Sequence, residues 1–288
     1  MTQLQGKTAF ITGGASGIGF SIASALVGAG CGVVIADVEA GALEKASHAL
    51  RGRGAKVNTA VLDVTDRDAF QQARDQAIAQ HGAVHLLFNN AGVNAAGPVH
   101  TLSWQDWDWV MGVNLGGVIN GVKTFLPELM RHGPEAHLIN TASVGGLVGM
   151  KNLAIYNAAK FGVVGLSEAL RADLKSNGVN VSLLCPGIVT TALTTSERNR
   201  PTHLRNEATP TPAAPAASNA PNPVAMSADE LAAFTLEAIR ENRFWIVSHP
   251  EFMPLIEQRD RSILEAFQGA PDAAKVQAMQ ALIEPFRF

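Results

Sequence analysis

The chain has 288 residues, 22 basic and 25 acidic side chains and a formal net charge of −3, and 47% of its residues are hydrophobic. This charge gives no electrostatic basis for binding nucleic acid or an anionic membrane surface, and we expect neither as a partner. No apolar run approaches the roughly 18 residues of a membrane span, and the N-terminal residues lack the pattern of a signal peptide. We therefore expect a cytoplasmic protein.

Short apolar runs alternate with longer helix-compatible stretches along most of the chain. The apolar runs are continuous rather than alternating, as expected for parallel strands that are covered on both faces. This order predicts an α/β fold, a Rossmann-like doubly wound parallel sheet of about seven strands with helices on both faces, in a single domain over 1–288. Strands are predicted at 8–12, 32–37, 56–62, 84–89, 136–141, 179–185 and 244–247. Helices are predicted around 17–29, 39–53, 66–81, 103–132 and 153–177.

The regular pattern stops after Pro186. Residues 209–223 hold five prolines, which excludes a helix or a central strand there. We interpret 193–226 as a proline-rich insertion that forms a mobile lid over the substrate, with a helix starting near Ser227. Residues 250–288 are predicted to form a helical extension that packs on its own subunit or on a neighbouring one.

The first predicted strand runs into TGGASGIG at 12–19, and a predicted helix follows. Glycines let the backbone turn tightly and approach a pyrophosphate, which the N-terminus of a helix favours. Asp37 ends the second predicted strand, where an acid accepts hydrogen bonds from both hydroxyls of an adenosine ribose. It would repel a 2′-phosphate, and its neighbours Ser16 and Val38 carry no charge to compensate. The sequence therefore predicts NAD rather than NADP as cofactor.

Tyr156 is the only tyrosine of the chain, and Lys160 follows it one helical turn later. Residues four apart lie on one face of a helix, and an ammonium beside a phenol favours the phenolate. We therefore expect Lys160 to lower the pKa of Tyr156, so that the tyrosine exchanges a proton near neutral pH. The two cysteines, Cys31 and Cys185, are predicted to be buried free thiols. The eight histidines have no metal-ligand spacing, so no metal is expected.

The glycine pattern, the YNAAK run at 156–160 and the NNAG run at 89–92 together resemble the classical branch of the short-chain dehydrogenase/reductase (SDR) family. The resemblance covers about 5–192 and 227–248. It implies an oxidoreductase that interconverts an alcohol and a ketone with a nicotinamide cofactor. It also implies a homotetramer or homodimer assembled through the helix that carries Tyr156, where Ala158, Ala159, Gly162 and Gly165 are small enough for close helix packing.

The resemblance implies a role for each residue that matches a family motif. Ser143 hydrogen-bonds the substrate oxygen, Tyr156 is the acid and base, Lys160 also binds the nicotinamide ribose, and Asn114 holds a water behind the lysine. The cofactor-binding residues implied are Gly13, Ser16, Gly17, Ile18, Gly19, Asp37, Asp63, Val64, Asn90, Ala91, Gly92, Tyr156, Lys160, Pro186, Gly187, Val189 and Thr191. Asp63 is expected to contact the adenine and Thr191 the carboxamide.

The segment after Ser143 is mostly apolar, and in the resembled family it forms a wall of the substrate pocket. Ser143, Val144, Met150 and Leu193 are the predicted substrate contacts, and they suggest a hydrophobic secondary alcohol or ketone. Arg198, Arg200 and Arg205 leave an acidic substrate as a second interpretation, although arginines in loops are usually solvated. The tryptophans at 104, 107 and 109 are interpreted as packing residues.

Two other functions remain open at this point. An NADPH-linked ketoreductase would use the same chemistry, and Asp37 argues against it. A catalytically silent nucleotide-sensing protein would share the fold but is expected to lose Ser143, Tyr156 or Lys160, and all three are present.

Overall fold

Seven parallel strands form one central sheet in the computed structural model, which describes residues 3–52, 54–206 and 222–284. The strand order is β3-β2-β1-β4-β5-β6-β7. The strands are β1 (Thr8–Thr12), β2 (Gly32–Asp37), β3 (Val57–Val61), β4 (Leu86–Asn89), β5 (His137–Thr141), β6 (Asn180–Cys185) and β7 (Trp245–Val247). The strand order reverses between β1 and β4. The connections that follow these two strands therefore run in opposite directions, and a crevice opens between them at the carboxyl ends of the strands. The predicted fold class is confirmed.

Helices cover both faces of this sheet. They are α1 (Gly17–Gly28), α2 (Ala40–Arg51), α3 (Arg67–His81), α4 (Trp104–Met111), α5 (Gly117–His132), α6 (Ala154–Asp173), α7 (Ala228–Arg240), α8 (Met253–Glu265) and α9 (Ala273–Ile283). Successive strand residues point to opposite faces, which separates two cores. Phe10 packs with Phe70 and Phe125 on the face of α3, α5 and α6, whereas Ile11 and Ile35 pack on the face of α1, α2 and α7.

The helix predicted over 103–132 is wrong in one respect. A π-helical segment, Gly112–Gly116, divides it into α4 and α5, and Asn114 lies within that segment. A π turn shifts the register of a helix without changing its composition, so the apolar pattern does not reveal it. The glycines nearby allow α5 to lie close to the sheet, since a Cβ at Gly121 would stand 2.0 Å from Oδ1 of Asn89.

The part of the chain after β7 is mostly exposed. Neither α8 nor α9 contains a buried residue, although the guanidinium of Arg259 lies 5.3 Å from the ring centroid of Phe161. Part of the predicted lid, 207–221, lies outside the described residues. Within the described ranges, no helix combines the length and the apolar character needed to cross a membrane.

The helix expected to form a subunit interface, α6, has its small residues on two faces. Ala158 and Gly165 are exposed, whereas Ala159 is buried and a Cβ on Gly162 would stand 2.9 Å from Leu115 of the same chain. Only the first pair is therefore available to another subunit, and the homo-oligomer stays a prediction.

Candidate active site

The glycine-rich loop lies at the carboxyl end of β1, beside the point where the strand order reverses. Gly13 and Gly17 have positive φ angles of 64° and 51°, and a Cβ on Gly19 would stand 2.1 Å from the carbonyl oxygen of Gly13. Ser16, the residue that precedes α1, makes no side-chain cap, and the first turn of α1 contains no acidic residue. The N–H groups of this turn are therefore available to an anion such as a pyrophosphate.

Asn90 fastens this loop to the end of β4. Its backbone N–H donates to Oγ1 of Thr12 at 2.9 Å, and its side-chain Nδ2 donates to the Thr12 carbonyl at 3.1 Å. The N–H of Ala91 also donates to Oγ1 of Thr12, at 3.1 Å. Thr12 thus joins two neighbouring strands where they leave the sheet, and it holds the loop in place for a ligand.

Asp37 lies at the opposite side of the loop. Its Oδ2 accepts from the N–H of Ala15 at 3.2 Å, and its Oδ1 accepts from the N–H of Glu39 at 3.2 Å. Burial raises the pKa of Asp37 above its ordinary value of 3.8, and these N–H groups oppose the increase. The carboxylate is held at the cleft wall by backbone groups, with lone pairs left to accept from ribose hydroxyls.

An ion pair crosses the cleft next to Asp37. Nη2 of Arg198 donates to Oε1 of Glu39 at 2.7 Å, Nε of Arg198 donates to Oε2 at 3.3 Å, and Asn199 donates to the same carboxylate at 2.8 Å. Arg198 is thus engaged by both carboxylate oxygens. Both side chains of the pair are partly exposed, at 39% and 31%.

Ser143, Tyr156 and Lys160 meet at the other end of the cleft. Ser143 follows β5, and its Oγ accepts from the N–H of Gly145 at 3.0 Å and donates to the carbonyl of Pro186 at 3.4 Å. Tyr156 lies in the first turn of α6 with its side chain near Ser143, which opposes the effect of burial on the pKa of the tyrosine. Two hydroxyl groups therefore face the same space, where they can hold one substrate oxygen.

Lys160 lies beside Tyr156, but the pKa of the tyrosine is not lowered in this arrangement. Its Nζ lies 5.7 Å from the ring centroid of Tyr156 and donates to the carbonyl of Thr141 at 2.8 Å. Burial lowers the pKa of Lys160 from 10.5 to about 8, and burial raises the pKa of Tyr156 above 10.0 while the hydrogen bond from Ser143 opposes it. The expectation of a lowered tyrosine pKa is therefore wrong for this arrangement, because burial disfavours the charged form of both groups.

Asn114 lies behind this group, in the π-helical segment. Its Oδ1 accepts from the N–H of Val93 at 2.8 Å, and its Nδ2 donates to the carbonyl of Val93 at 2.9 Å. The side-chain amide therefore holds the chain that follows β4. Its role in holding a water of a proton relay stays a prediction.

One cleft contains most of the predicted site. Its walls include Gly13, Ser16, Gly17, Ile18, Asp37, Asp63, Val64, Asn90, Ala91, Gly92, Ser143, Tyr156, Lys160, Pro186, Gly187, Val189, Thr191 and Leu193. Four predicted residues lie elsewhere: Gly19, Asn114, Val144 and Met150. Val144 is buried, with its N–H bonded to the carbonyl of Pro186, and Met150 lies further along the loop, with its N–H bonded to Asn157. The substrate contacts of Val144 and Met150 predicted after Ser143 therefore stay a prediction.

The apolar wall near Tyr156 comes from other parts of the chain. It is formed by Val93, Trp109, Val113, Ala192, Leu193, Pro201 and Leu204, with Asp108 and His203 as polar neighbours. The interpretation of Trp109 as a packing residue is incomplete, because this residue is buried and also lines the cleft. Thr141 lines it as well, and its buried Oγ1 has no hydrogen-bond partner among the described residues. The local sequence carries no signal that these residues line the cleft, and only a family pattern could have indicated them.

Arg200 is a further residue that the sequence misplaces. It is 3% exposed, its Nη1 donates to Oδ1 of Asp106 at 2.7 Å, and its guanidinium lies 5.1 Å from the ring centroid of Trp109. This buried pair fixes the loop after Thr191 to α4. Arg200 is therefore unavailable to an acidic substrate.

The remaining ionisable residues do not suggest a metal site. No three His, Cys, Asp or Glu side chains cluster as metal ligands in the part of the chain that the structure describes. Cys31 and Cys185 are buried free thiols, as predicted. Cys185 lies close to Lys160 behind the cleft, and burial raises its pKa to about 12.

Comparison with known proteins agrees with this geometry. The model of the family described as short chain dehydrogenase matches residues 7–202. The C alpha-dehydrogenase of Sphingobium sp. strain SYK-6 is 34% identical over 293 residues, which cover 98% of this chain and 94% of that protein. The CLA biosynthesis dehydrogenase/reductase of Lactiplantibacillus plantarum is 32% identical, and the matched region covers 94% of this chain and 97% of that protein.

Solved structures give the same result. A short-chain dehydrogenase/reductase from Burkholderia phymatum, crystallised in complex with NAD, is 40% identical with a TM-score of 0.85, covering 95% of this chain and 100% of that one. The apo form of LigD from Sphingobium sp. strain SYK-6 is 33% identical with a TM-score of 0.78, covering 93% and 100%.

Proposed function

Because the chain belongs to the short-chain dehydrogenase family, we propose that it is an NAD-dependent oxidoreductase that interconverts a hydrophobic secondary alcohol and its ketone. Family membership confirms the predicted enzyme class and its nicotinamide cofactor. The observation that carries the finer proposal is one cleft that has Asp37 at one end and the paired hydroxyls of Ser143 and Tyr156 at the other.

The residues of the cleft fit a dinucleotide. The glycine loop leaves no room for a Cβ at Gly19, and the uncapped start of α1 suits the pyrophosphate. Asp37 would accept from the ribose hydroxyls, which supports NAD over NADP. NADP would need a cation for its 2′-phosphate, and Arg198 at this end of the cleft is already paired with Glu39.

The chemical end supports proton transfer at one substrate oxygen. When bound, a nicotinamide supplies the hydride acceptor or donor. In the oxidation direction, Tyr156 takes the proton of the substrate hydroxyl while Ser143 donates a hydrogen bond to the same oxygen. Burial raises the pKa of Tyr156, so its reactive phenolate requires a favourable charge nearby, and the Lys160 ammonium lies on the same helix face.

The apolar wall of Trp109, Leu193 and Leu204 supports a bulky hydrophobic substrate. An aryl-alkyl carbinol, a steroid or a cyclic secondary alcohol would bury its apolar part there while its hydroxyl reaches Ser143 and Tyr156. Asp108 and His203 are placed to form one further hydrogen bond with a polar substituent of the substrate.

A panel of hydrophobic secondary alcohols tests the proposal. The purified protein is incubated with each alcohol and either NAD⁺ or NADP⁺, and the absorbance of the reduced cofactor is followed. We expect turnover with NAD⁺ and at least about tenfold lower kcat/KM with NADP⁺. Preferential use of NADP⁺ would support the ketoreductase alternative, and cofactor binding without turnover on any alcohol or ketone would support the silent nucleotide-sensing protein.

A further inference from the structure

A buried histidine lies behind one wall of the cleft, outside every motif that the sequence singles out. His249 comes two residues after β7 and is 3% exposed. Because β7 pairs with β6 through Val247 and Cys185, the two strands end side by side. The chain after β7 therefore meets the chain after β6, which is the 186–188 segment.

Both ring nitrogens of His249 bond to the backbone of that segment. Nδ1 accepts from the N–H of Gly187 at 3.2 Å, and Nε2 donates to the carbonyl of Ile188 at 3.0 Å. The hydroxyl of Ser248 also lies 2.7 Å from Nδ1. Since a backbone N–H can only donate, Nδ1 must be the acceptor and the ring proton sits on Nε2.

The ring also determines how closely the segment can approach. A Cβ on Gly187 would stand 2.5 Å from Cγ of His249, so the glycine allows direct contact between this backbone and the imidazole. Two hydrogen bonds and this contact fix the position of the 186–188 backbone against β7.

The same segment continues to the reacting groups. The carbonyl of Pro186 accepts from the N–H of Val144 at 2.9 Å and from Oγ of Ser143 at 3.4 Å. Pro186 and Gly187 line the cleft together with Ser143 and Tyr156. His249 is thus one residue removed from the backbone that orients the serine hydroxyl.

We propose that His249 is a positioning residue, which holds the 186–188 segment so that the serine hydroxyl and the nicotinamide half of the cofactor keep their relative positions. The inference rests on the proposed function, because the nicotinamide must lie beside Ser143 and Tyr156 for hydride transfer. His249 does not contact the reacting atoms, and its influence passes through Gly187 and Pro186.

The test compares the binding of NADH with that of ADP-ribose, because both ligands contain the adenosine end of the cofactor. His249→Phe keeps a ring of similar shape and removes both hydrogen bonds. We expect the Kd of NADH to rise about tenfold or more and kcat to fall by a similar factor, since small misplacements near the reacting atoms have large effects. The Kd of ADP-ribose, which lacks the nicotinamide, should change by less than about twofold because its contacts lie at the other end of the cleft.

Two conservative variants show which of the two lost hydrogen bonds weakens the binding of NADH. The amide of His249→Asn can accept from Gly187 near the place of Nδ1, and that of His249→Gln can donate to Ile188 near the place of Nε2. Each should recover part of the lost NADH affinity relative to His249→Phe. If His249→Phe does not fold, these two variants carry the test, each with weaker NADH binding than wild type and unchanged ADP-ribose binding.

His137→Phe is the matched control, since His137 is also a buried histidine and bonds Ser182 at 2.7 Å at the start of β5. It should leave the NADH to ADP-ribose affinity ratio unchanged. Equal weakening of both ligands in the His249 variants, or no weakening of NADH, overturns the inference. The proposed function fails separately, through the wild-type protein's lack of turnover with NAD⁺.

Discussion

The two ends of the cleft differ in how far their charged and polar groups are exposed to solvent. At the end proposed for the adenosine, backbone N–H groups and partly exposed side chains would bind the cofactor, and the Glu39–Arg198 pair remains in contact with solvent. At the chemical end, Asp108 and His203 are exposed, but the charged groups nearest the fold's interior are buried: Lys160 bonds a backbone carbonyl and Arg200 pairs with Asp106 out of solvent.

This difference matters because water screens exposed charges but not buried ones. An exposed pair contributes little to stability, whereas a buried charge is costly unless its partner is in place. Changes at the chemical end should therefore have large effects on both rate and stability. Changes at the adenosine end should alter mainly the choice of cofactor.

The largest effect is expected from Tyr156→Phe. The variant keeps the ring but loses the hydroxyl that exchanges the proton, so kcat should fall by about 10²–10⁴-fold or more. Titration with NADH should give an unchanged Kd, because the contacts at the adenosine end remain. Unchanged turnover would remove Tyr156 as the acid and base, and loss of NADH binding would indicate a structural role instead.

The buried ion pair of Asp106 and Arg200 is expected to give the next largest effect. Asp106→Asn removes the buried anion of Arg200 and leaves only the largely exposed carboxylate of Glu197 beside the guanidinium, which should lower the free energy of unfolding by roughly 3 kcal/mol. Urea denaturation measures this change. The double variant Asp106→Asn with Arg200→Met removes both charges and should recover part of the loss. No recovery would mean that the charge pair is not the cause.

Lys160→Met should separate stability from activity. The folded-state pKa of Lys160, about 8, lies below its unfolded value of 10.5, so the unfolded chain binds more protons between these pH values. Wild-type stability should therefore rise with pH through this window. Below pH 8 the burial of the charge costs up to roughly 3 kcal/mol, and loss of the bond to Thr141 offsets part of the gain from removing it.

The variant is thus expected to be about 1–3 kcal/mol more stable than wild type at pH 7 and nearly inactive, and to lose this advantage as the pH rises from 8 to 10.5. Denaturation curves at pH 7 and pH 10 measure this. A variant that is less stable than wild type at pH 7 would show that the bond to Thr141 outweighs the cost of burial.

The same contrast explains what the sequence could predict. The bounds of β1 and β2 agree with prediction because continuous apolar runs end there at a glycine loop and at Asp37. The glycine loop, Ser143 and Tyr156 lie in contiguous motifs, and the structure brings them to one cleft.

What the sequence missed depends on contacts between distant segments. The partner of Arg200 is 94 residues away, and the pKa of Tyr156 depends on burial that no local pattern records. The assignment of Met150 to the substrate wall stays a prediction, since its N–H bonds Oδ1 of Asn157 and the residue does not line the cleft as described.

The smallest effect is expected at the adenosine end, from Arg198→Met. Arg198 lies two residues before Arg200 and makes a bidentate pair, but both partners are partly exposed, so its loss should change the free energy of unfolding by less than about 1 kcal/mol. Arg200→Met, measured by the same denaturation, is the matched control and should cost several times more, because it leaves Asp106 buried and unpaired. Equal losses in the two variants would mean that burial does not distinguish the two ends of the cleft.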